Sequence, residues 1–159
     1  MAMIERCEVE TLRDLKSILG RDGVRAAVVF LNSKTDHRYT ALYRFDRETL
    51  CNLYFVDKEN PSRESIEDIP VSASYCAFVR RSDGTFTVSN SIEDVRLEHH
   101  AKRNIVRAYC GVPLHDEADK VFGTICHFDF QPMSITDSNI GLMEALAPLL
   151  MHEQSEPIS

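Results

Sequence analysis

The sequence predicts an α+β domain built on a central antiparallel sheet, and three patterns carry that prediction. Segments rich in β-branched and aromatic residues fall into two sets, within residues 24–56 and 85–130, joined by short polar turns. Apolar residues at spacings of three and four mark helices at the start, middle and end of the chain. Strands and helices do not alternate in the β-α-β manner of a parallel, doubly wound sheet.

Leu12, Leu15 and Leu19, with Ile4 and Cys7 or Glu8 ahead of them, form a helical stripe ended by Gly20 and the Arg21-Asp22-Gly23 turn. Residues 24–31, Val-Arg-Ala-Ala-Val-Val-Phe-Leu, are dense in β-branched residues and read as a buried strand. Residues 39–45 and 50–56 read as two more strands around Asp46-Arg47-Glu48, completing a meander. The stretch 62–70 is polar and mobile-looking, with room for a helical turn at 65–68. Residues 71–80 read as a helix, 85–88 as a short strand, and 92–104 as a polar helix capped by Asn90-Ser91. Long strands are expected at 106–114 and 120–130. Thr136-Asp137 opens a last helix in which Ile140, Met143, Leu146, Ala147 and Leu150 repeat at helical spacing. The expected organisation is an amphipathic helix over residues 1–20, one domain over 21–152 and a polar tail over 153–159. The terminal helices then lie on one sheet face, and the irregular middle covers the other.

A chain of 159 residues, 43% hydrophobic, suits one domain that needs neither metal nor disulfide to fold. Its net charge of −7 argues against a nucleic-acid partner, since phosphate backbones demand clustered Lys and Arg. No apolar run approaches the ~20 residues that span a bilayer, so no membrane partner is expected. The first residues lack the basic start and apolar stretch of a secretory signal. Five cysteines, an odd number with no C-x-x-C pair, read as reduced thiols, and the expected compartment is the cytoplasm.

Several landmarks occur together in order. Tyr109-Cys110-Gly111-Val112-Pro113-Leu114 resembles the Y-x-G-V-P-L strand of GAF domains. Gly123-Thr124-Ile125-Cys126-His127-Phe128-Asp129 resembles their G-T-L-C-x-x-D strand, with Pro132 following. Thr136-Asp137 and the run 142–150 resemble the closing T-x-x-D and L-x-x-L-A helix. Val88-Ser89-Asn90 with Asp94-Val95-Arg96, and Ile69-Pro70-Val71 with Tyr75-Cys76-Ala77, are similar to the segments before them. The resemblance covers residues 24–150. It implies a twisted antiparallel sheet with terminal helices on one face and a ligand pocket on the other, roofed by the middle segment. It implies a small-molecule sensor that pairs through its terminal helices. The N-K … F-x-x-x-D-E signature of cyclic-nucleotide binders is absent at its proper spacing. Bilin-binding members resemble one another in a Cys-His pair where this chain has Glu98-His99-His100, so no covalent bilin is expected. Free methionine sulfoxide reductases of this type use pocket cysteines; Cys76 matches one, and the nucleophile position near His99 has none.

In the strand 106–114, alternation puts Tyr109 and Gly111 on one face and Cys110 and Val112 on the other. Glycine inside a strand marks close approach by a ligand or another backbone, so Tyr109 and Gly111 are the first pocket-lining candidates. Tyr109 is otherwise a core aromatic with a satisfied hydroxyl. Cys76, Cys110 and Cys126 read as buried thiols acting as small hydrophobes. A redox role for Cys76 would need a cation such as His99, His100 or His127 beside it. His99 and His100 diverge by about 100° on a helix and do not chelate one metal. Asp94 and Arg96 pair with each other, or Arg96 or Arg107 holds a ligand carboxylate or phosphate. No G-x-S-x-G, Walker loop or H-E-x-x-H motif occurs.

The expected function is a non-catalytic sensor that binds an unidentified small molecule. Its expected ligand set is Tyr109, Gly111, Tyr75, Cys76, Asp94, Arg96, His99, His100 and His127. It would pair with a second copy through its terminal helices and act on a separate output protein. The alternatives are a ligandless dimerisation module and a cysteine-based redox enzyme or sensor resembling free methionine sulfoxide reductase.

Overall fold

Apolar residues at 24, 27, 28 and 31 recur at helical spacing, and Val24, Ala27, Val28 and Leu31 are all buried on one side of a helix. The computed structural model, which describes residues 6–150, thus replaces the strand expected at 24–31 with α2 (Val24–Ser33). It follows α1 (Arg6–Asp22) directly. The break between them is Gly23, whose φ of 96° is a conformation that glycine adopts without steric cost. Helix α1, expected as a separate leading segment, contributes Leu15 to the same core with no exposed surface. Ile4 and the polar tail lie outside the described residues.

Six antiparallel strands follow: β1 (Tyr39–Asp46), β2 (Thr49–Asp57), β3 (Ile69–Pro70), β4 (Phe86–Val88), β5 (Ala108–His115) and β6 (Val121–Asp129). Their order across the sheet is β3-β2-β1-β6-β5-β4, so the two halves of the chain meet where β1 pairs β6. Strand alternation then divides the core. Leu42, Cys110, Val112, Leu114 and Ile125 point to one face, against α1, α2 and α4 (Asp137–Leu146). Each fully buried leucine there contributes roughly 1.5–3 kcal/mol. Tyr39, Ala41, Tyr43, Tyr109, Cys126 and Phe128 point to the other face, under the middle segment. The expected two-sided α+β arrangement is therefore the observed one.

The middle segment is less helical than its sequence suggests. A 3-10 turn (Val71–Ala73) is separated from α3 (Cys76–Ser82) by Ser74, which is extended at φ −134° and ψ 150°. The helix expected at 92–104 is two 3-10 turns, Ser91–Glu93 and Val95–Leu97, and irregular chain. Asn90 and Asp94 each accept a bond from the backbone N–H two residues on, at 3.2 and 3.0 Å, and these local turns compete with helix propagation. Leu97 is fully buried, while Ile92, Val95 and Ile105 are exposed, so no apolar face exists to hold a longer helix down. Residues 62–68 form no helical turn. Asn52 ties this stretch to β2: its N–H donates to Asp68 at 2.9 Å, and its amide oxygen accepts from Ile66 at 3.2 Å.

Candidate functional site

On the sheet face away from the helices, a partly open cavity of about 150 Å³ lies between the sheet and the middle segment. Tyr43, Tyr109, Cys126 and Phe128 form its floor, while Ile66, Ala73, Tyr75 and Val106 close it from above. The aromatic walls are tightly held. Tyr75 and Tyr109 meet edge to face with centroids 5.6 Å apart, and the Tyr75 hydroxyl donates to the Val106 carbonyl at 2.8 Å. The Tyr109 hydroxyl lies 3.1 Å from Cys76 Sγ. Burial lifts the Tyr75 phenol to about 12 and pushes those of Tyr43 and Tyr109 well above their ordinary value, so all three stay protonated and act as donors. With the Tyr75 and Tyr109 hydroxyls turned to protein partners, the cavity offers mainly ring surface. Lys102 and Glu67 are the ionisable side chains in its lining with opposite charge.

Beside the cavity, between α3 and the sheet, lies a second thiol, that of Cys76. Cys76, at the start of α3, has its sulfur 3.1 Å from the Tyr109 hydroxyl and 3.2 Å from the Thr124 hydroxyl. Burial opposes ionisation of Cys76, but donation from Cys126, Ser74, Thr124 and Tyr109 outweighs it and brings the thiol down to about 7. Cys126 is pushed well above its ordinary value by burial and by the bond to Cys76. Cys110, on the helix face, has its sulfur 3.8 Å from Met143 Sδ and is pushed up by burial to about 12. Cys51, Cys76, Cys110 and Cys126 are free thiols.

The expected ligand set divides. Tyr75 and Tyr109 line the cavity, and Cys76 sits just behind it. Gly111 does not line it: the Tyr109 ring folds across Gly111, and a Cβ there would overlap the phenol. The close approach that this glycine marks is thus made by a neighbouring side chain rather than a ligand. His100 braces the roof. Its Nδ1 accepts from the Lys102 N–H at 3.0 Å, leaving Nε2 to donate to the Ser74 carbonyl at 3.3 Å, and its ring stands 4.7 Å from that of Tyr75. His99 is exposed. Asp94 and Arg96 lie outside the cavity, where Arg96 binds Asp94 at 2.5 Å, donates to the Thr87 carbonyl at 2.8 Å and covers the Phe86 ring at 4.4 Å.

His127 is on the opposite face. Its Nδ1 is 2.7 Å from the Thr40 hydroxyl, which accepts from Asn32 of α2 at 2.8 Å, and its ring stacks on His37 at 5.8 Å. Burial drives His127 down to about 3 and lowers His37 as well, so both are neutral near pH 7. Tyr43, Phe128 and Cys126 were not expected as cavity residues. Period-two alternation in β1 and β6 was the signal that could have placed them there.

A wider trough of about 430 Å³ lies elsewhere, between α4 and the β5–β6 turn. It is lined by Asp83, Asp116, Asp119 and Glu144, with His115 bound to Asp83 at 2.5 Å, and its lining has none of the Phe and Tyr side chains of the smaller cavity. Among the described residues, no group of three His, Cys, Asp or Glu side chains could hold a metal ion, and no helix is long and apolar enough to cross a membrane.

This architecture has close parallels. The GAF domain of an Acinetobacter phosphoenolpyruvate-protein phosphotransferase superposes with a TM-score of 0.74 at 16% identity, covering 92% of each chain. Free methionine-R-sulfoxide reductase from Neisseria meningitidis, solved with its substrate, gives 0.71 at 14% identity over 94% of this chain and 90% of that one. The chromophore-binding domain of a Stigmatella aurantiaca phytochrome gives 0.75 at 13% identity over 98% of this chain and 62% of that one. No curated protein sequence matches the chain. At these identities the superpositions establish the fold alone. The family model for the GAF domain matches residues 10–153, from within α1 to beyond α4, and the chain belongs to the GAF domain family.

Proposed function

We propose that this chain is a regulatory module that binds a small, largely apolar molecule between its sheet and its middle segment without transforming it. The observation that carries this reading is the cavity itself: aromatic on its walls, roofed by irregular chain, and bordered by one cation, Lys102, and one anion, Glu67. Ligand sites of larger molecules run to roughly 300–1,000 Å³, so 150 Å³ favours a compact metabolite over a nucleotide. A molecule with a ring or branched aliphatic body and one polar end reaching Lys102 suits the lining.

Strand β1 offers a route out of the site. Tyr43 faces the cavity, whereas Thr40, on the alternate face, is bonded to Asn32 near the end of α2. A ligand favouring one position of β1 would therefore also favour one position of the helix layer, as any ligand must act through unequal affinity for two states.

Native mass spectrometry of freshly purified protein tests this reading. The expected result is an added small mass that is lost on denaturation and is missing from Ala73→Trp, whose indole would fill the cavity from its roof. Retention of the mass by a folded Ala73→Trp protein would refute it.

Pairing of two copies through the helix layer is the second reading. It is favoured by Val9, Val29 and Leu149, which are 43–46% exposed on that side of the chain. A strictly monomeric sedimentation profile at micromolar concentration would remove it.

A further inference from the structure

Arg21, Arg25, Arg38, Arg80 and Arg96 each face a carboxylate, that of Asp22, Glu64, Asp57, Glu48 and Asp94, at 2.5–3.8 Å. Arg103 and Arg107 have no such partner among the described residues. Arg107, expected as one holder of a ligand anion, does not line the cavity, and neither does Arg103. Both guanidiniums reach instead to the 3-10 turn Ser91–Glu93 and its cap Asn90. Arg103 donates from Nη2 to the Ile92 carbonyl at 2.7 Å, and Arg107 from Nη2 to Asn90 Oδ1 at 2.9 Å. Asn90 Oδ1 also accepts from the Ile92 N–H at 3.2 Å. Ser91, fully buried, ties the two backbones together: its N–H donates to the Arg107 carbonyl at 2.9 Å and its hydroxyl to the Arg103 carbonyl at 2.5 Å. Two cations are thus fixed against one three-residue turn.

Their charge is only half solvated. Both residues are partly buried, and Nε of each is buried without a hydrogen-bond partner. Glu93, the carboxylate of the turn itself, is exposed and pairs with neither. A guanidinium carries five N–H donors and no acceptor, and Asn90, with Oδ1 engaged, presents its Nδ2 as a further donor. Charge drawn partly out of water without a counter-charge is costly, and an anion arriving from solvent recovers that cost. Two positive charges and a set of donors suit a phosphate group, which carries nearly two negative charges, better than a carboxylate, which carries one. Ile92, 39% exposed at the same turn, offers apolar surface that the carbon body of an ester would cover.

We propose that Arg103, Arg107 and Asn90 form an oxyanion site on the middle segment, separate from the cavity, that takes the phosphate group of a small monoester.

The test uses the isotope-labelled full chain at neutral pH and constant ionic strength, titrated with phenyl phosphate, inorganic phosphate or acetate while NMR follows the arginine Nε–H and backbone amide signals. The expected result is saturable movement of the Arg103 and Arg107 Nε–H signals and of the amides of residues 90–93. Phenyl phosphate should bind more tightly than inorganic phosphate, and acetate most weakly. Arg103→Gln and Arg107→Gln should each weaken binding about tenfold, as loss of one charge-assisted pair does. Arg107→Lys keeps the charge without the forked donors and should recover only part of that loss. Signals in the unsubstituted protein that stay still, or that move equally with sodium chloride alone, would overturn the proposal, and this holds even if a variant fails to fold. Unchanged binding by folded Arg103→Gln and Arg107→Gln would do the same. Acetate bound as tightly as phosphate would overturn the choice of phosphate, and equal affinity for phenyl and inorganic phosphate would overturn the choice of an ester.

Discussion

Replacing Gly111 with alanine puts a methyl group where the ring of Tyr109 now lies. The added carbon would sit 2.6 Å from Cζ and 2.7 Å from Cε1 of that ring, and closer still to its oxygen. The ring has little room to retreat. It is 3% exposed, its hydroxyl bonds Cys76 at 3.1 Å, and Tyr75 and Phe86 stand 5.6 and 6.2 Å away. Three effects compete. Alanine restricts the unfolded chain and stabilises by roughly 0.5–1 kcal/mol. Overpacking costs roughly 1–3 kcal/mol. The displaced phenol abandons its bond to Cys76, costing about 1 kcal/mol more. The net expectation is a loss of roughly 1–3 kcal/mol, or roughly 2–12 °C in Tm for a domain of this size. Gly141→Ala is the matched control: it lies inside α4 with nothing within 4 Å of the added carbon, so it should stabilise by roughly 0.5–1 kcal/mol. Urea unfolding followed by circular dichroism measures both. Tyr109→Phe removes the nearest clashing atom, so the double variant with Gly111→Ala should lose less than the sum of the single changes. A Gly111→Ala protein as stable as the parent would refute the placement of the Tyr109 ring.

Three other expectations concern charge. His127 titrates at about 3 when folded and near 6.5 when unfolded, so the unfolded state holds the extra proton between those values and stability falls as pH drops below about 6.5. The loss from this one group is roughly 2 kcal/mol between pH 6.5 and 5; denaturation at both pH values should show it shrinking in His127→Gln, and an unchanged slope would contradict it. Arg38 bonds both oxygens of Asp57, at 2.8 and 3.0 Å, and holds its carboxyl below the ordinary range. The stabilisation is therefore complete above about pH 4 and lost as pH falls through the lower folded value, so Asp57→Asn should flatten an acid titration of Tm below pH 4. Arg96→Ala removes the guanidinium from the Phe86 ring and should cost about 1 kcal/mol while leaving binding in the cavity unchanged by calorimetry.

The sheet was legible because its long strands alternate cleanly: β1, β2, β5 and β6 fall within a few residues of the segments read from pattern alone. Helix α2 was misread because Val24, Val28 and Val29 signal strand by composition. The periodicity of Val24, Ala27, Val28 and Leu31 signals helix, and packing against the sheet follows periodicity. The middle segment failed in the other direction. Its polar residues suit a helix individually, but Asn90 and Asp94 divert the backbone into local turns that only the side-chain geometry reveals. At the site, Tyr75, Cys76 and Tyr109 were within reach because alternation and the family resemblance agree on them. The contacts of Cys76 with the Tyr109 and Thr124 hydroxyls were not, since they join residues far apart in the chain and on different elements. His127 was assigned to the wrong face because its neighbours were read as a motif, whereas β6 alternation sets it opposite Cys126.

The sheet ends in a strand of two residues on one side, β3, and one of three residues on the other, β4. Pro70 in β3 has no N–H to donate, so that margin offers almost nothing to an incoming chain. A six-stranded sheet with long inner strands would otherwise be an efficient seed for end-to-end growth. Here the two stubs occupy those margins, covering Thr49 and Leu50 of β2 and Tyr109 to Gly111 of β5, and at those positions they leave an incoming strand no long run of free backbone to pair with.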